Sequence, residues 1–349
     1  MPTWSTMTRS RSSLVVTSTT VRGLINLAVT LAVLLTVTFA LSRLAPIDPA
    51  LARVGDHASR SAYLQARQEL ALDAPWPVQL TRYFGRLVHG DLGVSLSTGL
   101  PVAQDLQRVW PSTAELATLA MAVSSILGLG LALIAVRRVG RTSDMLIRFV
   151  SLLGNSIPIF WLALIMLFVF YARLQWVGGP GRLDDAYEYT IPMPTRVVLI
   201  DAWRSGAPGA FASALSHLVL PVLMLAAYAI GNITRLARAA LLQEMHREYV
   251  TMARAKGAGE LRVLVHHVLP NAGGVILTVL ALTYASLLEG AVLIETVFAR
   301  PGLGRYLTTA LFAGDTPAIL GATLLIGVCF VVLNGLTDLV VRLMDPRTR

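Results

Sequence analysis

The stretch from Glu248 to Pro270 reads EYVTMARAKGAGELRVLVHHVLP, and on either side of it lies an apolar run long enough to cross a bilayer. Residues 248–256 contain no proline or glycine, and Tyr249, Met252 and Ala253 fall on one helical face at spacings of three and four. Gly257 offers a stop just past the helix end, with Arg254 and Lys256 in the last turn, where cations favour the helix dipole. The pattern predicts a short helix, an elbow at Gly257 and Gly259, and a second helix leading through Pro270 into the next apolar run. Ala253, Ala255 and Ala258 are small enough to let another protein's backbone come close, so the surface is built for docking.

Working outward, the 349-residue chain is 55% hydrophobic and 14% charged, with a mean hydropathy of +0.64, a balance that belongs in lipid. Six charge-free runs qualify as spans: Arg22 to Arg43, Glu115 to Arg137, Arg148 to Arg173, Arg204 to Arg235, His267 to Glu289, and Asp315 to Asp338. The fourth is longer than a span needs, and its start is expected near Phe211. None shows the two-residue alternation of an outer-membrane barrel, so the expected fold is all-α, a polytopic membrane protein with six transmembrane helices. The first run is too long for a signal-peptide core and lacks a clear A-x-A site, so it is read as a retained anchor.

The net charge of +9 reads as membrane orientation, not nucleic-acid binding. Placing the N-terminus inside puts the arginine-rich loops at 137–148 and 235–267 in the cytoplasm, and both termini with them. The expected division is a disordered tail at 1–21, a first span at 22–43, an extracytoplasmic segment at 44–111, a five-span core at 112–344 with a docking helix at 248–257, and a tail at 345–349. Within the outside segment, residues 59–72 suit an amphipathic helix, whereas the proline-broken loop at 174–210 is expected to be irregular. The single cysteine, Cys329, excludes an internal disulfide or a cysteine metal site.

Chemistry-bearing motifs are absent. There is no G-x-x-x-x-G-K-[ST] phosphate cradle, and Lys256, the sole lysine, is followed by glycine. PGLGR at 301–305 reads as a tight turn after the fifth span, and the adjacent His266 and His267 point to different faces. Catalytic and metal-ligating residues are therefore expected to be none. Polar groups inside spans should face protein or a watery path: Ser151, Asn155 and Ser156 before Pro158, then Asn232, Thr234, Thr283, Ser286 and Asn334. Glu289 and Glu295 could attract a cationic group, or else pair with Arg300 or Arg305.

Ala253-x-x-x-Gly257, followed thirteen residues after the glycine by Pro270 of Leu269-Pro270, resembles the EAA-type signature of ABC transporter permeases. The chain is most similar to the dipeptide, oligopeptide and nickel branch, first permease of the pair. LALDAPWPVQLTRYF (70–84), GDLGVS (90–95), WPSTAEL (110–116), NSIPIFWLAL (155–164), HLVLP (217–221), GAVLIETVFARPGLGRYL (290–307) and DPR (345–347) carry the resemblance in order. It departs at Thr251, where the general motif has glutamate, and at Ala71, where the branch usually has glycine.

The resemblance implies a type I importer bundle in a bacterial cell membrane, working with a second permease subunit, two cytoplasmic ATPase subunits and an extracytoplasmic substrate-binding protein. Glu248, Tyr249, Val250, Thr251, Met252, Ala253, Arg254, Ala255, Lys256, Gly257 and Ala258 would be the coupling helix and its elbow, seated on an ATPase. ATP and magnesium would sit on those partners, and this chain would bind no cofactor. Peptide is the expected cargo, with nickel or another small solute as the alternative. A stand-alone secondary carrier would need mid-span ionisable relays, which the six runs do not offer. An intramembrane enzyme would need a constellation that His217 alone does not make.

Overall fold

A computed structural model of the chain describes residues 27–44, 48–55 and 57–344. The tails expected at 1–21 and 345–349 lie outside these residues. Every regular element among them is helical, with one isolated bridge between Val94 and Pro101. Five helical stretches are long and apolar enough to cross a membrane: α1 (Leu27–Leu44), α5 (Val102–Arg137), α10 (Ala210–Met245), Glu260–Val297, and Thr316–Val341 within α15 (Thr316–Met344).

The third expected run is interrupted. It consists of α6 (Thr142–Ser156), a break at Ile157 and Pro158, α7 (Ile159–Met166) and a wider π-helical turn at Leu167–Arg173. Pro158 disfavours helical backbone at the residue before it, and Ile157 is extended at φ −92° and ψ 125°. The six expected crossings are therefore five continuous helices and one broken one.

Two further boundaries differ from expectation, while the helix expected at 59–72 is present at Arg60–Glu69. The helix of the second span starts at Val102, thirteen residues before Glu115, and its first-turn Asp105 is enclosed by protein. Between α1 and α5 lie α2 (Pro49–Val54), α3 (Arg60–Glu69) and α4 (Trp76–Val88); Asp48 and Ser59 accept from the first-turn amides of α2 and α3. The loop at 174–210, expected to be irregular, contains two short helices, α8 (Asp185–Glu188) and α9 (Val198–Arg204). Asp201 organises the second by accepting from the Thr195 hydroxyl at 2.7 Å.

The described residues form two compact units, those up to 103 with 310–331 and those at 104–309 with 332–344. In the first, α4 buries Tyr83 against Leu35 and Phe39 of α1 and Leu320 of α15. Asp315 caps α15 through the Ala318 amide and also accepts from the Ser95 hydroxyl at 2.6 Å and the Ser97 amide at 2.9 Å. In the second, α10 is the central helix, packed by α6, α7, α9 and α13 (Leu269–Val297). Small residues set the spacing: a Cβ added at Gly231 would stand 2.6 Å from the Ser151 carbonyl oxygen of α6. The hydroxyl of Thr234 donates to the Gly128 carbonyl of α5 at 3.2 Å.

Candidate functional site

α10 ends at Met245, and α11 (Glu248–Ala255) follows after a two-residue turn. Val250 is the one buried residue of α11, packed in a core with Ala237, Leu241, Val263, Leu264 and Val268. Thr251, Met252, Arg254, Ala255 and Lys256 are exposed, while Tyr249 and Ala253 are partly covered. Burial and a 2.9 Å hydrogen bond donated to Glu244 push the Tyr249 phenol up to about 12.

Two backbone bonds close the helix. The Ala258 amide donates to the Ala253 carbonyl at 3.1 Å and the Gly257 amide to the Arg254 carbonyl at 2.9 Å, the Schellman pattern, which places Gly257 at the left-handed position with φ +85°. The chain then turns into α12 (Glu260–Val263), a π-helical turn at Leu264–Val268, and α13. Arg254 braces the bend by donating to both carboxylate oxygens of Glu260, at 2.9 and 3.0 Å. A groove of about 370 Å³ opens along this surface, lined chiefly by Tyr249, Met252, Lys256, Gly257, Arg262 and His267.

A second brace was not foreseen. Asp144, in the first turn of α6, is almost wholly enclosed and accepts two 2.8 Å bonds from Arg238 of α10.

The interior polar residues fall into three groups. Ser151, Thr234 and Thr283 are buried, and the Thr283 hydroxyl donates to the Val279 carbonyl of its own helix. Asn155 and Ser156 lie in the last turn of α6, where the exposed Ser156 hydroxyl donates to Leu152, and the half-buried Asn232 accepts from Arg235. On α13, Ser286 donates back to Leu282, and Glu289 is exposed.

Glu295 departs from the cation-attracting role, because it is fully buried and its oxygens are occupied by other donors. One accepts from the Thr113 hydroxyl at 2.5 Å and the other from the Gly304 amide at 2.7 Å and the Arg305 amide at 3.3 Å. It caps α14 (Leu303–Ala313), with its negative charge at the positive end of the helix. The GLG of PGLGR is thereby explained, since a Cβ on Gly302 would collide with the Glu295 carboxyl group and one on Gly304 with the Val292 backbone. The ion pair considered between Glu295 and Arg300 or Arg305 gives way to one between Arg300 and Glu115, at 3.3 Å. Glu115 also accepts from the Leu199 amide at 2.9 Å, fastening α9 to α5.

Against known proteins, residues 124–349 match the family described as binding-protein-dependent transport system inner membrane component, and residues 17–117 match its N-terminal region. The probable D,D-dipeptide transport system permease protein DdpB of Escherichia coli K12 is 40% identical over 314 residues, covering 89% of this chain and 91% of that protein. The di/tripeptide transport system permease protein DppB of Pseudomonas aeruginosa is 37% identical, covering 89% and 93%. The dipeptide transport system permease protein DppB of Haemophilus influenzae is 36% identical, covering 90% and 93%. A solved methionine ABC transporter in inward-facing conformations aligns with 69% of this chain at 18% identity and a TM-score of 0.47.

Proposed function

The chain belongs to the binding-protein-dependent transport system inner membrane components, and from that premise we propose that it is one of two permease subunits of an ATP-driven importer of di- or oligopeptides. The cargo reading is supported by the peptide transport named for all three relatives. The coupling reading is carried by one observation: α11 is fixed to the membrane body through Val250 while its other face and the Gly257 elbow stand exposed.

In this reading residues 248–258 seat on a cytoplasmic ATPase subunit. Two such ATPases bind ATP and magnesium and perform the hydrolysis, and this chain contributes path and lever. Closure of the ATPase pair draws the two coupling helices together and rotates the permease bundles as rigid bodies from inward-open to outward-open. An extracytoplasmic binding protein then delivers cargo into the cavity. Both termini lie in the cytoplasm, in keeping with the arginine-rich loops beside Asp144 and α11. Ser151, Asn155, Ser156, Asn232, Thr283, Ser286 and Glu289 are the span residues from which path contacts are drawn.

Purification of the intact complex tests the assembly, with a second permease and two ATPase chains expected to accompany this subunit. Gly257→Arg tests the elbow, because a long charged side chain then projects from the docking surface. The variant is expected to reach the membrane and to leave ATP hydrolysis uncoupled from uptake in proteoliposomes. Unchanged transport would remove the elbow from the coupling path.

A further inference from the structure

Besides Asp105, which accepts from the Tyr306 hydroxyl of α14, α5 and α13 carry three carboxylates: Glu115, Glu295 and Glu289. The first two are enclosed and saturated, Glu115 by Arg300 and the Leu199 amide, Glu295 by Thr113 and the first amides of α14. Glu289 differs. It is exposed on the surface of the chain and has no hydrogen-bond or ion-pair partner among the described residues. It sits eight residues before the end of α13 at Val297, about 12 Å into the helix.

Its surroundings show what that surface can meet. Val275, Leu282, Glu289 and Thr296 are all exposed and recur every seven residues, so they form one stripe, with Thr278 and Ser286 beside it. The hydroxyls of Thr278, Ser286 and Thr296 donate to the carbonyls of Gly274, Leu282 and Val292 in their own helix. They therefore require nothing from outside. The Glu289 carboxylate has no such internal donor, and an ionised group at this depth needs water and a cation.

We propose that Glu289 is a binding site for the ammonium group of a passing peptide, on a water-facing stripe of α13. This rests on the importer reading above. The site offers one negative charge, with the Ser286 hydroxyl one turn away, and takes a positively charged nitrogen as its ligand. It favours cargo with a free amino terminus over an N-acylated equivalent of the same size.

The test begins without cargo, in membranes containing the assembled complex. In a Cys329→Ser background, Ser286→Cys is reacted with trimethylammonium-ethyl and with sulfonatoethyl methanethiosulfonate. The cationic reagent is expected to gain about fivefold over the anionic one relative to a free thiol in solution, and Glu289→Gln is expected to erase that gain. No reaction with either reagent would place the stripe against lipid or a neighbouring helix and overturn the proposal. A gain that survives Glu289→Gln would also overturn it, as would no gain at all, since a fixed cation of the second permease would then neutralise the carboxylate. In proteoliposomes, labelled Ala-Ala is expected to show a raised KM with Glu289→Gln and a near-normal one with Glu289→Asp. An identical KM in all three proteins would overturn the ligand assignment. Should the unmodified complex carry no peptide, the importer reading fails, and the thiol ratio still decides whether Glu289 is a cation site.

Discussion

Gly257 and Gly304 are both glycines that other residues cannot simply replace, for different reasons. At Gly257 an added Cβ meets nothing within 4 Å, so the constraint is the left-handed backbone alone. Gly257→Ala should cost about 1 kcal/mol, and Gly257→Asn clearly less, because asparagine tolerates that conformation. Amide exchange at Ala258 reads the difference, with roughly fivefold faster local opening expected for the alanine variant. At Gly304 the constraint is space. A methyl group would strike the Val292 backbone and press on the Glu295 carboxylate, so Gly304→Ala should destabilise by about 3 kcal/mol and lower the yield of folded protein in detergent. Glu295→Gln keeps a weaker acceptor for the Gly304 amide and should lose less. Gly257 could be read from its setting, since alanines and cations precede it and a polar turn follows. The partners of Glu295 could not, because Thr113 lies 182 residues away.

At the scale of elements, α6 and α10 approach closely at Gly231. Gly231→Ala should force those helices apart, because its Cβ would face a backbone carbonyl at 2.6 Å with no side chain able to yield. Gly274→Ala is the natural control, as its nearest neighbour, Val341, would stand at an ordinary 3.8 Å. Thermal unfolding of the purified subunit should show a loss of about 2 kcal/mol for the first variant and little change for the second. The crossings themselves were legible, because absence of charge over roughly 20 residues is a strong local signal. The break before Pro158 was also foreseeable from the proline. What stayed hidden was pairing across distance: Arg300 with Glu115 is separated by 185 residues, and Arg238 with Asp144 by 94. Arg238 looked like one more orienting cation, and Arg300 like a partner for Glu289 or Glu295, until the fold supplied each its carboxylate.

For the whole molecule, the proposed orientation puts α11 and α3 on opposite sides of the membrane. In a Cys329→Ser background, Lys256→Cys should react with a membrane-impermeant maleimide only when the reagent reaches the cytoplasmic face, and Ser61→Cys only from the other side. Labelling of both from one side would reverse the assignment of the outside segment.

Of the eight residues of α11, only Val250 is fully enclosed, with Tyr249 and Ala253 packed beside it, so one edge of the helix is anchored in the body and the rest stands free. On the proposed coupling role, substitutions at the exposed Thr251, Met252 and Ala255 would refit the chain to a different motor without disturbing how the bundle assembles. The membrane scaffold and its drive train are, in that sense, interchangeable parts.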